Sequence, residues 1–143
     1  MGPATRAALA ASRFALVPLQ AEPMALRSLV QTLRVIEHVR QHENPELTLL
    51  GILPTMVLLG QESSLNVMAS IWSGFEGVLE TSIPRADVFT KASELGLPIG
   101  FLGGRRPPEA RRFEVLADEL DLRITELTGM TGEEDENAQR KLV

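Results

Sequence analysis

No cysteine occurs in this 143-residue chain. That excludes a disulfide framework, a thiolate zinc site, an iron–sulfur cluster and a cysteine nucleophile. It fits a reducing, cytoplasmic setting. Tyrosine is absent, tryptophan occurs once, and aromatic residues make up only 4% of the chain. The core must therefore come from Leu, Ile, Val, Ala and Met. No apolar run is long enough to cross a bilayer. The longest, Leu49 to Gly60, contains Pro54 and two glycines, and a spanning helix needs about 20 apolar residues. Ser12 and Arg13 interrupt the small-residue run Ala7–Ala11, so no secretory signal is expected. An excess of positive charge is missing too. The net charge of −5 argues against a wholly basic nucleic-acid binder but leaves room for a local basic patch.

The composition is 44% apolar and 23% charged, ordinary for a globular domain. A single domain is expected over 1–128. From Gly129 the chain turns polar and acidic (Glu133, Glu134, Asp135, Glu136), and 129–143 reads as a disordered tail.

Helical and strand patterns alternate along the domain. Ala4–Ser12 is rich in helix formers. Phe14–Leu19 reads as a buried strand with Pro18 near its end. Leu26, Leu29, Val30, Leu33, Ile36 and Val39 form one apolar helical stripe, opened by Pro23 and ended by Asn44-Pro45. Thr48–Leu53 is continuously apolar, as expected of a parallel strand buried on both faces. Leu65, Met68, Ile71, Trp72 and Phe75 mark a second amphipathic helix, with the two aromatics expected in the core. Val78–Ile83 reads as a third strand closed by Pro84. A short helix over Asp87–Leu95 and a last helix with Phe113, Leu116, Ala117, Leu120, Ile124 and Leu127 on one face complete the pattern. Such alternation predicts an α/β fold: a small parallel sheet of about three strands with flanking helices, half of a doubly wound fold.

Residues 8–26 lead from a helix into a strand ending in Pro-x-Gln. Residues 25–56 give a helix and a strand ending in Thr-Met. Residues 83–99 give an Ile-Pro-Arg loop and a Gly-x-Pro-Ile turn, and Phe113–Leu120 a closing helix. Taken in order, these passages resemble the C-terminal half of the ParA/Soj/MinD family of partitioning ATPases, which have a P-loop NTPase fold. Complete members bind ATP and magnesium through a Gly-Lys-Thr phosphate loop. This chain has no Gly-Lys pair, so the backbone cradle and the magnesium-binding hydroxyl are absent from it. The switch segment of the family would fall before Gly2-Pro3. The chain is therefore expected to be a fragment or a truncated gene product, without ATP hydrolysis alone and without a cofactor of its own.

The resemblance implies that Thr55, Met56, Ile83, Pro84 and Arg85 line the adenine side of a nucleotide site. Strand C-terminal ends are where open α/β sheets bind ligands. Within the match, Arg13 replaces an Asp, Val57 and Leu58 stand where an aromatic and an Asp or Asn are usual, and Val88 and Lys91 replace an Arg and a Glu. Residues 85–112 carry six cations (Arg85, Lys91, Arg105, Arg106, Arg111, Arg112) against Asp87, Glu94 and Glu109. Such a cluster can neutralise DNA phosphates, and relatives bind DNA nonspecifically with this half. The resemblance also implies chromosome or plasmid partition, nucleoid association and a centromere-binding partner protein. Two other readings are a stand-alone, non-catalytic interaction module and a nonspecific DNA-binding module. In the first, an unpaired sheet edge and exposed apolar surface would favour a homo-oligomer or pairing with a separate partner such as the missing half. His38 and His42 sit four apart on a helix but lie off the apolar stripe, and they read as surface histidines rather than metal ligands.

Overall fold

The computed structural model describes residues 2–104 and 106–140, with side chains through residue 129. Helix α1 (Pro3–Ala10) leads into strand β1 (Phe14–Gln20). Helix α2 (Pro23–His42) crosses to strand β2 (Thr48–Thr55), followed by α3 (Glu62–Gly74) and α4 (Asp87–Glu94). A 3₁₀ turn at Ile99–Phe101 precedes the long α5 (Pro108–Arg140). The acidic stretch from residue 129 thus begins inside α5, and residues 141–143 lie outside the described residues.

Strands β1 and β2 pair in parallel, from Phe14 opposite Thr48 to Gln20 opposite Thr55, with one irregularity between Ala15 and Leu16. Asn44 fixes the start of this unit. Its side-chain amide donates to the carbonyls of Leu9 (3.1 Å) and Ser12 (2.6 Å), so the end of α2 closes the α1–β1 turn. One face of the sheet is covered by α2 and α3. Leu19, Leu29, Ile52, Val67, Met68 and Ile71 form its main cluster, and Ala15, Ile36, Val39 and Leu47 a second. On the other face, α5 packs Leu116 against Leu53, Leu79 and Ile83.

Three expectations need correction. First, β2 is buried from Leu50 to Pro54 as its continuous apolarity implied, but β1 is not a fully buried strand. Leu16 remains 36% exposed, and Pro18 and Gln20 are exposed as well. The reason is that α5 covers only β2 and the segment beyond it. Second, Trp72 is not core: it is 52% exposed. The buried stripe of α3 is Ser64, Val67, Met68 and Ile71, which turns Leu65 and Trp72 outward. Phe113 and Ala117 of α5 are likewise exposed.

Third, residues 78–83 do not form a regular strand. One isolated parallel bridge joins them to β2, Ile52 with Val78, and a second, Val57 with Pro84, lies just beyond the ends of both segments. The ladder begins normally: the Ile52 N–H donates to Gly77 O (3.0 Å) and the Leu79 N–H to Ile52 O (2.9 Å). In a parallel ladder the next rung would run from the N–H of residue 54 to Leu79 O. Pro54 has no N–H. The carbonyl of Leu79 instead accepts from Trp72 Nε1 (3.4 Å), and contact resumes only where the Ile83 N–H reaches Pro54 O (2.9 Å). Two residues of β2 thus face four of the third segment, which bulges over 80–82.

Candidate functional site

The C-terminal ends of the three parallel segments are tied to one another by backbone hydrogen bonds. The Ala21 N–H donates to Thr55 O (3.0 Å), the Val57 N–H to Ile83 O (3.2 Å) and the Arg85 N–H to Val57 O (3.0 Å). Thr55 and Val57 are thereby fixed, and Met56 between them must turn. It does so with φ of 53°, in the left-handed region that a Met rarely adopts. Its side chain is 51% exposed at the rim, where Sδ accepts from Gln20 Nε2 (3.2 Å).

Above this floor lies a cavity of about 600 Å³ lined by Gln20, Glu22, Thr55, Met56, Ile83, Pro84, Arg85, Ala86, Phe89, Thr90 and Phe113. All five residues assigned to an adenine wall line this one cavity. Phe89 of α4 and Phe113 of α5 meet edge to face, with ring centroids 6.2 Å apart. Neither aromatic, nor Gln20, is singled out as a site residue by the sequence. The Pro-x-Gln strand end and the spacing of Phe113 on its helix were the available signals. The lining is apolar at Met56, Ile83, Pro84, Ala86, Phe89 and Phe113 and polar at Gln20, Glu22, Thr55, Arg85 and Thr90. A concave, mostly apolar lining with a few polar groups is the common make-up of small-molecule sites.

The Ile-Pro-Arg wall is anchored from behind by α5. Glu119 accepts the Glu80 N–H on Oε1 (2.8 Å) and the Thr81 N–H on Oε2 (2.9 Å), the two amides that the bulge frees. Arg123, one turn on, donates to Gly77 O (3.1 Å), Val78 O (2.9 Å) and Leu50 O (3.4 Å). Burial pushes the Glu119 carboxyl up. The hydrogen bonds from Thr81 and Glu80 and the nearby Arg123 charge outweigh it, and hold the group below its ordinary value. The sequence signal for this pair was a Glu and an Arg at helical spacing beside an apolar stripe.

The five of the six cations that lie among the described residues do not gather in one place. Arg85 belongs to the cavity. Arg106 and Arg111 share a groove with Pro107, Pro108 and Glu114, and Arg106 is ion-paired to Glu114. Arg112 lies on another side of α5, beside Glu80, Asp118 and Glu119. Lys91 is exposed on α4, and Arg105 lies outside the described residues. His38 and His42 stack with centroids 4.3 Å apart. Among the described residues, no group of three or more potential metal ligands occurs, and no helix is long and apolar enough to cross a membrane.

No family model matches the chain. It is 36% identical over 130 residues to the chromosome-partitioning ATPase Soj of Thermus thermophilus, a match covering 88% of this chain and 51% of that protein. It is 32% identical over 119 residues to the sporulation initiation inhibitor protein Soj of Bacillus subtilis, covering 82% of this chain and 46% of that protein. Among solved structures, the ATP complex of a single-residue variant of Cyanothece McdA superposes with a TM-score of 0.69 at 21% identity, over 80% of this chain and 45% of that one. Cobyrinic acid a,c-diamide synthase of Mycobacterium smegmatis, with a bound ATP analog and magnesium, gives 0.58 at 34% identity, over 77% and 39%. The chain spans about half the length of the curated relatives it matches. Over that half its sequence belongs with the ParA/Soj partitioning ATPases, and its fold is that of McdA.

Proposed function

We propose that this chain is the C-terminal, base-binding portion of a ParA-type partitioning ATPase. In this reading the strand-end cavity receives the adenine of ATP, with Met56, Ile83 and Pro84 against the ring faces and Thr55 and Arg85 at its polar edges. The observation that carries it is the convergence of Thr55, Met56, Ile83, Pro84 and Arg85 on one cavity at the C-terminal ends of parallel strands. The residues that would hold the triphosphate and magnesium are not in this sequence, which has no Gly-Lys pair. Positioning and charge stabilisation of the transferred phosphoryl group are nearly all of the catalysis in such enzymes. The chain alone therefore binds the base side and does not turn ATP over. Chromosome partition, and association with a second copy or with the other half, belong to the complete assembly.

The test has two parts. Adenosine, which needs no phosphate loop, is titrated into the 15N-labelled chain. Shifts confined to the amides around Thr55, Met56 and Arg85 support the reading, whereas shifts elsewhere or none refute the base site. Phosphate release from ATP and magnesium is then followed. Turnover above the buffer blank, in a preparation free of contaminating ATPase, refutes the catalytic silence.

A further inference from the structure

We propose that Glu119 is a positioning residue for the strand-end cavity: from α5 its carboxylate holds the bulge at 80–82 and so sets where Ile83, Pro84 and Arg85 enter the wall. The proposal rests on the base-site reading for its ligand, though not for its geometry.

The bulge leaves the Glu80 and Thr81 amides without ladder partners. Both oxygens of one carboxylate take them, at 2.8 and 2.9 Å. Two charge-assisted bonds from one rigid group fix the peptide in two directions, which a single bond does not. Thr81 is buried, so water does not substitute easily. From Thr81 only Ser82 intervenes before Ile83, whose N–H makes the next bond to β2, at Pro54 O. A shift of the bulge is therefore delivered directly to the cavity wall. Upstream, Arg123 grips Gly77 O and Val78 O, so α5 holds the segment before the bulge as well as within it. The same helix presents Phe113 to the cavity. One helix thus both carries Phe113 and holds the segment that leads to Pro84. Glu119 itself does not line the cavity, so its influence on a ligand runs through the backbone.

The experiment is native-state amide exchange on the full 15N-labelled chain, wild type against Glu119→Gln. The carboxamide keeps the size and one acceptor but turns an NH₂ toward the second amide. Exchange at Glu80 and Thr81 should quicken by about tenfold or more, the loss of one strong hydrogen bond. Ile83 and Arg85 should follow by several-fold, while the Ile52 amide stays near its wild-type rate. Adenosine affinity should fall in parallel, read from the Thr55 and Arg85 shifts. Unchanged protection at Ile83 and Arg85 overturns the proposal. So does uniform acceleration across β1 and β2, which is the mark of plain destabilisation. Should the glutamine variant not fold, Glu119→Asp keeps the charge while withdrawing the oxygens by one methylene, and the same amides are read. Should adenosine perturb no amide of the wild type, the base site falls, and exchange at Ile83 and Arg85 still decides the positioning.

Discussion

Replacing Gly51 by alanine tests how the third segment seats against β2. A Cβ built at Gly51 would lie 2.9 Å from Leu79 Cδ2, 3.1 Å from Leu79 Cγ and 3.1 Å from Gly77 O. Neither neighbour is free to give. Leu79 is fully buried, packed in the cluster of Leu53, Ile83 and Leu116. Gly77 O already accepts from the Ile52 N–H and from Arg123 Nη1. Overpacking of this kind costs about 1–3 kcal/mol. Loss of glycine entropy from the unfolded chain returns about 0.4–1 kcal/mol. The net is a destabilisation of about 0–2.6 kcal/mol, centred on about 1.3 kcal/mol, and the central value lowers Tm by roughly 3–6 °C in a domain of this size. Thermal and urea unfolding followed by far-UV circular dichroism measure it. The internal control is Gly74→Ala at the end of α3, where nothing lies within 4 Å of the added Cβ and helix propensity favours alanine. The two variants should differ in sign. A Gly51→Ala protein as stable as the wild type would mean that Leu79 and Gly77 do not approach β2 as described.

Three further outcomes follow from other contacts. The Glu119 carboxyl is held below its ordinary value of 4.5 in the folded state, by hydrogen bonds from Thr81 and Glu80 and the Arg123 charge acting against burial. A depressed carboxyl stabilises fully above its unfolded pKa and loses that contribution as pH falls through the folded one. The stability gap between wild type and Glu119→Gln should therefore be constant near neutrality and shrink below about pH 4.5, and urea midpoints across that range check it. Trp72→Phe removes the donor to Leu79 O, at a cost of about 0.5–1.5 kcal/mol. In a Pro54→Ala background, which restores a ladder N–H, the same change should cost less, and additivity of the two in a double-mutant cycle would contradict the substitution of one donor for the other. Duplex DNA binding, if measured, should depend weakly on salt. Among the described residues only Arg106 and Arg111 share a groove, with Glu114 opposing them. The slope of log K against log salt should then be no steeper than about −2. A slope near −5 would mean that the dispersed cations act together.

Much of the order of elements was legible because it is local. The apolar stripe of α2, the continuous apolarity of Leu50–Pro54 and the prolines at helix starts each act within a few residues. The five wall residues were legible only through resemblance. Nothing in the spacing of Thr55 and Ile83 says that they meet at one cavity. Trp72 was misplaced because the stripe of α3 can be drawn along two neighbouring faces. Val67 and Ser64 decide between them, and Ser64 is buried because its Oγ accepts the Leu58 N–H (3.1 Å). A polar residue on the inward face is invisible to a search for apolar periodicity.

The third segment shows the same limit more sharply, and its cause is a single atom that is missing. Pro54 reads in the sequence as an interruption of an apolar run. In the fold it deletes one rung of a parallel ladder, and the groups left over must still be satisfied. The Leu79 carbonyl finds the Trp72 indole on α3, and the Glu80 and Thr81 amides find Glu119 on α5. These partners lie far from Pro54 in sequence, so no window centred on it contains the answer. Yet the consequence falls next to the site. Pro54 immediately precedes Thr55 and Met56, and the bulge it provokes immediately precedes Ile83, Pro84 and Arg85. A regular third strand would bring different residues to the end of the sheet. The break at Pro54 is therefore part of how the cavity wall is built, and the residues that heal the break, Trp72 and Glu119, act on its geometry without lining the cavity.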